Sequence, residues 1–491
     1  MTSLTRSWHR EAHRRVPRRL SVLAAMAPVA VALTLLASCA WTTPSAAPSS
    51  YQANLWPQRP VVQLSFEVAP DLGSVTGRES VVFTPDMPAC ELVFRAWPNN
   101  PTISKAGSSL TLTDSAVNGH PVAAQVQAAG APPGAPGTLI QLPLSQCLQP
   151  GQSVRADLGF TVVLGRDADE RVGYSPDTRT AWFGSAFPLL GWIRGQGWAR
   201  DPAVPMNGET AVSEEFALTN LSVTAPSDDQ VTGTGTAGPT VAGDRPGTAT
   251  HRFSAAAVRD VAVGVGHYNV TERDVNGVRV HLATPATGTK TDPTQWGDVI
   301  THAIEALSTH FGPFPYADFW ATITPGQSDG TEYPQAVQFG DAKEAGLSAL
   351  VAHELSHQWF YSLVGNNQAE DPWLDESLAT LGEALVGGDA KDYRPKDISD
   401  RVVGLMGKPM SYWAAHGGFG EYTEGVYNQG GAVLLEARKR VGADRFDAAL
   451  RSYIQANAHR VARPADFARA FADQPQVLDL LKHAGALPNP G

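Results

Sequence analysis

Cysteine is scarce in this chain. Cys39, Cys90 and Cys147 are the only three in 491 residues. That number excludes a small scaffold held mainly by disulfides. Basic charge is also short, with 37 Lys and Arg against 48 Asp and Glu. The acidic excess argues against a nucleic-acid surface. There is no internal repeat, no glycine-rich phosphate loop and no G-x-S-x-G nucleophile elbow. Glycine (46) and proline (37) are plentiful instead and imply many turns. The length suffices for two to four domains with a substantial core.

One long apolar run exists, and it sits near the N-terminus. Arg6 to Arg19 supplies a basic region, and Leu20 to Leu36 is apolar but interrupted by Pro28. This is the pattern of a secretory signal rather than of a comfortable membrane span. Its ending, Leu36-Ala37-Ser38-Cys39, resembles the bacterial lipoprotein box. By that resemblance Cys39 is the lipidation site and the mature N-terminus, and the chain is an exported, membrane-anchored lipoprotein at the cell surface. An ordinary signal peptide with an incidental cysteine, or an uncleaved anchor, is the alternative, and Arg18-Arg19 leaves twin-arginine export open. Removing residues 1–38 takes away six Arg and one Glu and leaves a net charge of −16. Only Cys90 and Cys147 then remain, with one possible pairing. Outside the cytoplasm a disulfide between them would contribute about 4 kcal/mol by loop closure; two buried free thiols are the other possibility.

Residues 39–50, rich in Pro, Ser and Ala, read as a tether. From 51 to 274 the pattern is that of strands. VVQLSFEV, RESVVFT, SVRADLGFTVVL and EFALTNLSVTAP alternate or run apolar between turn residues. The expected unit is an all-β, sandwich-like domain. From 275 to 491 helical patterns dominate after one or two strands. The expected helices are Asp292–Gly312, Gly346–Leu363, Trp373–Val386, Tyr427–Val441, Asp444–Ala458 and Pro464–Ala472. The fold class is therefore α+β and multidomain, β first and helices second.

The chemistry is concentrated in LVAHELSHQWFYSLVGNNQAEDPWLDESLATLGEALV, Leu350 to Val386. His353-Glu354-Leu355-Ser356-His357 is an H-E-x-x-H motif. On a helix, residues i and i+4 share a face, so both imidazoles can meet one ion. Glu354 can reach a water on that ion. Catalytic zinc needs a third protein ligand and one open position. Glu376, nineteen residues after His357, is a candidate on the next predicted helix, with Asp375 and Glu370 as nearby competitors. Glu383 lies two turns further along the same face and is a candidate acceptor for a ligand histidine.

HELSHQWF followed by WLDES resembles the aminopeptidase N family of zinc metallopeptidases, gluzincins with two His and one Glu on the metal. FGPFPYADFWATITPGQSDGTEYPQAVQF and GVYNQGGAVLLEARKRVGADRFDAALRSYIQ are similar to two further segments of that family. The resemblance covers roughly residues 300–460 strongly and 50–270 loosely. It implies a thermolysin-like catalytic domain holding one zinc ion through His353, His357 and Glu376. Glu354 is then the general base and Tyr427 the oxyanion donor, with Tyr412 and Tyr422 as rivals. Gly330-Thr331-Glu332 matches the family's Gly-x-Met-Glu segment, with Thr in place of Met. Its backbone would hold the peptide, and Glu332 would bind a free α-amine. Gln429 stands where the family usually has Lys, and Asp375 and Ser377 where it usually has Asn and Gly.

The expected function is therefore zinc-dependent removal of the N-terminal residue from peptides, with no nucleic-acid partner. A gluzincin endopeptidase and a non-catalytic zinc-binding surface module are the other readings. Trp182, Phe187, Trp192 and Trp198 are weighed as cleft walls against a packing role, and packing is the expectation for most of them.

Overall fold

The computed structural model of the chain describes residues 51, 55–206, 212–388 and 390–488. Cys39, the expected signal segment and the tether lie outside the described residues.

Alternation shapes the first half. Val61–Val68 buries every second side chain, and Ser74–Phe83 does much the same. That is the period of a strand with one face on a core. These strands lie at the centre of a nine-stranded sheet, beside Phe216–Pro226 on one flank and Val154–Val163 on the other. Val61–Val68 runs parallel to Phe216–Pro226 and antiparallel to Ser74–Phe83. Among the described residues, a five-stranded, a four-stranded and a two-stranded sheet complete the β half. Edge-to-face contacts of Phe66 with Phe160 and Phe183, and of Trp192 with Trp198, fill the space between strands. Cys90 and Cys147 form a disulfide joining strand Ala89–Arg95 to strand Leu139–Leu148.

The second half is built on a mixed five-stranded sheet. Its order is Tyr268–Val275, Val278–Pro285, Asp318–Thr324, Ala336–Gly340, Gly330–Tyr333. Asp318–Thr324 is buried throughout, as befits a central strand with parallel neighbours on both sides. The first strand of this sheet precedes the expected boundary at residue 274. It belongs here because Asn276-Gly277 turns it back onto Val278–Pro285.

The helix Pro293–Phe311 begins at the Asp292 cap, whose side chain accepts from Thr294 N, and stops at Gly312. The expected helix Gly346–Leu363 is shorter. It runs from Glu344 to Ser356, with a non-helical break at Ala345 and Gly346. The chain then turns tightly, and Tyr361 takes a φ of 89°, which a continuing helix cannot contain. The expected helix Trp373–Val386 is a 3₁₀ turn Pro372–Leu374, a short helix Glu376–Gly382 and a π turn Glu383–Gly387. Three helices of this half escaped the sequence pattern: Met410–Ala415, Gly418–Tyr422 and Pro475–His483. Two of them are only five or six residues long, too short to show a period. Trp296, Trp359, Trp373 and Trp413 fill the core of this half. Among the described residues, no helix is long and apolar enough to cross a membrane.

Candidate active site

The H-E-x-x-H helix places its two histidines one turn apart. His357 caps the helix at φ −64° and ψ −12°, so the helical turn carries through to it. The imidazole centroids are 5.1 Å apart. Each ring is fixed from behind. His353 Nδ1 donates to Glu383 Oε2 at 3.0 Å, and His357 Nδ1 donates to the Phe360 carbonyl at 3.3 Å. Both Nε2 atoms are left facing Glu376 Oε2, at 3.4 Å each.

Small residues bring the carboxylates within reach. A Cβ on Gly382 would fall 1.9 Å from Ser356 Oγ, so glycine is what lets the Glu376 helix cross the H-E-x-x-H helix closely. A Cβ on Gly430 would likewise strike Ser377, whose hydroxyl donates to the Val426 carbonyl at 2.7 Å. This second close crossing draws the Tyr427 segment onto the Glu376 helix. Asp375 Oδ1 accepts from Glu376 N at 2.9 Å, and Gln368 donates to its other oxygen at 3.0 Å. Two π turns lie where the chain must aim a side chain. Glu383 opens one, and Tyr427 lies in the other, Thr423–Asn428. Tyr393 donates to Glu383 Oε1 at 2.7 Å, so Glu383 is held between a phenol and an imidazole.

Glu332 comes from the edge strand Gly330–Tyr333, and it is buried. Gln358, directly after the second histidine, clamps that strand. Its amide nitrogen donates to the Tyr333 carbonyl at 3.0 Å, and its oxygen accepts from Gln335 N at 3.0 Å. Gly330 packs against Glu354 so closely that a Cβ there would lie 2.3 Å from the carboxyl carbon. Tyr427 stacks on His353 with ring centroids 5.6 Å apart and planes 9° from parallel. Of its rivals, Tyr422 is buried edge-on beneath Tyr427, and Tyr412 stacks on His416.

A cavity of about 400 Å³ opens over these groups. Gly330, Thr331, Glu332, Glu354, Tyr427 and the three groups His353, His357 and Glu376 all line it. Trp182, Phe187, Trp192 and Trp198 do not. The first three are buried in the β half, and Trp198 packs on Phe83 and Trp192. The sequence pattern missed Arg171, Glu170 and Phe419, which also line the cavity. Nothing near Arg171 or Glu170 in the chain repeats a motif; a fold from the β half carries them there.

The electrostatics follow from burying many acids around one space. Burial, together with the charge of Glu332, pushes Glu354 up to about 8 against the pull of His353. Burial also acts on Glu376, but hydrogen bonds from His353 and His357 overcome it and hold that carboxyl well below the usual range. Burial raises the Tyr427 phenol, and the charge of Glu376 raises it further, so it keeps its proton and remains a donor. Glu332 Oε1 and Glu354 Oε2 are buried with no hydrogen-bond partner among the described residues.

Two imidazole nitrogens and one carboxylate oxygen within 4.8 Å of one another form a three-donor set for a tetrahedral ion with one open position. The donor types fit zinc, and both histidines have the carboxylate or carbonyl support such ligands require. This donor set makes the site a candidate metal centre.

Comparison with known proteins agrees. The model of the Peptidase family M1 domain matches residues 336–408. Glutamyl aminopeptidase of Bos taurus is 26% identical over 140 residues, 26% of this chain and 14% of that protein. Endoplasmic reticulum aminopeptidase 1 of Homo sapiens is 25% identical over 159 residues, 28% of this chain and 16% of that protein. These alignments span about a sixth of the curated relatives' length. The solved structure of an M1 zinc metallopeptidase from Deinococcus radiodurans is similar over 90% of this chain and 98% of that one, with a TM-score of 0.62 and 17% identity. Residues 336–408 are thus similar to the M1 peptidase domain, and the fold as a whole is similar to that of solved M1 zinc metallopeptidases.

Proposed function

We propose that this protein is a zinc-dependent aminopeptidase that removes the first residue of peptides bearing a free N-terminus. A zinc ion held by His353, His357 and Glu376 would polarise the scissile carbonyl and make water acidic enough to ionise near neutral pH. Glu354 then accepts the proton of the attacking water and passes it to the leaving amine. Tyr427 donates to the oxyanion that develops on the former carbonyl. Gly330 and Thr331 lie on an edge strand, whose outer backbone groups can hold an extended peptide. Glu332 pairs with the α-ammonium and sets the cut after the first residue.

One observation carries this reading. Two buried carboxylates, Glu332 and Glu354, present unpartnered oxygens to the cavity that the three metal donors share. A carboxylate so placed calls for a cation or a proton donor, and a peptide's ammonium and an attacking water are one of each. The M1 zinc metallopeptidase of Deinococcus radiodurans, a mutant of which was solved with a Tyr-Ser-Ala substrate, supports peptides as the substrate class. The test compares one peptide with its N-acetylated form. Turnover of the free peptide alone is expected, and equal turnover of both would refute the proposed specificity.

The same proposal includes an address. Cys39 is the lipid attachment site, and the enzyme works on the outer face of a membrane. The support is the sequence pattern of residues 1–39. Cys39→Ser should move the protein from the membrane fraction to the soluble one; an unchanged distribution would remove the anchor.

A further inference from the structure

We infer that Glu332 and Glu354 form a second divalent-cation site, which an ion in excess and the substrate's ammonium occupy in turn. The inference rests on the assignment of His353, His357 and Glu376 to the first ion.

Glu332, Glu354 and His357 also offer three ligand atoms within 4.8 Å of one another. This set overlaps the first only at His357. Nδ1 of that ring is committed to the Phe360 carbonyl, so its Nε2 is the shared atom. It already serves the first ion, which leaves the two carboxylates to hold a second. Both side chains are 6% exposed, and each has an oxygen without a partner among the described residues. Two like charges this close and this buried repel each other, and a cation between them relieves the repulsion. The approach is fixed rather than adaptable. Gly330 lies against Glu354, and Gln358 ties the Glu332 strand to the end of the H-E-x-x-H helix.

The ligand class follows from the donors. Two carboxylate oxygens completed by water suit a divalent ion, and zinc binds such sets more tightly than magnesium or manganese. The neighbouring first ion repels the second, so the second binds at least about 100-fold more weakly. Zinc beyond one equivalent then occupies the position of the α-ammonium. It raises KM for free peptides and leaves kcat unchanged at saturating peptide.

The experiment is equilibrium dialysis of the full-length protein against zinc chloride, with metal analysis, in the absence of peptide. Wild type should bind one tight equivalent and one weak equivalent. Glu332→Gln should keep the tight equivalent, which also shows that it is folded, and lose the weak one. Glu354→Gln should behave in the same way and serves if the first variant is unstable. A wild type that stays at one equivalent in large excess overturns the proposal, as does a weak equivalent retained in both variants. Loss of the tight equivalent in His353→Ala tests the first site separately, so the two readings can fail independently.

Discussion

The two halves of the molecule treat buried acids differently. In the β half, Glu214 lies 3.0 Å from Arg194, Glu215 lies 2.7 Å from His459, and Asp229 lies 3.1 Å from Arg179. Each has a basic side chain beside it, and these pairs hold strands and loops in place. Around the cavity the acids outnumber the cations. Glu332, Glu354, Glu376 and Glu383 share two histidines and Arg171. Pairing every buried charge produces structure. Burying carboxylates beside an open space, with lone pairs unmet, produces a place that demands a cation. Function in this chain lies where the pairing is incomplete.

The largest effect that sharpens this comparison is at Glu354. Glu354→Gln keeps the shape and removes the base. Turnover should fall about 10³-fold, with zinc content by metal analysis unchanged; retained activity in a clean preparation would show that the site's acids are structural after all. A smaller effect is expected one step behind the metal. Tyr393→Phe removes the phenol that fixes Glu383, which fixes His353. Zinc affinity should weaken about tenfold, measured by chelator competition, and unchanged affinity would mean that Glu383 needs no second support.

The smallest effect comes from an exception in the β half. Glu79 is buried on strand Ser74–Phe83, and neither carboxyl oxygen has a partner among the described residues. Burial pushes its pKa well above the ordinary carboxylate value. A raised carboxyl binds its proton more tightly in the folded state, so folding is opposed as pH rises above the unfolded value near 4.5. Glu79→Gln removes that opposition. The variant should melt a few degrees higher than wild type at pH 8, with the gap closing toward pH 4.5. A variant that melts lower at pH 8 would indicate that Glu79 serves the fold as an ion.

Much of the site was legible because its signals are local. The i and i+4 spacing of His353 and His357 needs only a helix. Resemblance carried Glu376, Glu332 and Tyr427, and the structure brings all three to one cavity. Glu383 was legible as a position two turns beyond Glu376, and its contact with His353 Nδ1 was found where that spacing placed it. Tyr393, Gln358 and Arg171 were not legible. Tyr393 acts across a loop, Gln358 acts through its amide on a distant backbone, and Arg171 arrives from the other half of the chain. None of these relations has a sequence period. The overlong reading of the H-E-x-x-H helix has a similar cause. Trp359, Phe360 and Leu363 look like a continuing apolar face, but they are buried in tight turns after Ser356.

What the sequence alone determined is the chemistry available. It specifies which residues can ligate, which can accept a proton, and that strands come first and helices second, because these depend on residue type and on neighbours a few positions away. Only the tertiary structure decided which acids stay unpaired. Gly382, Gly430 and Gly330 act as close-approach points, and their effect exists only when another segment lies against them. Whether a buried carboxylate meets an arginine, a metal or nothing depends on what the fold brings within a few ångströms, because charge interactions in a poorly polarisable interior are decided at that range.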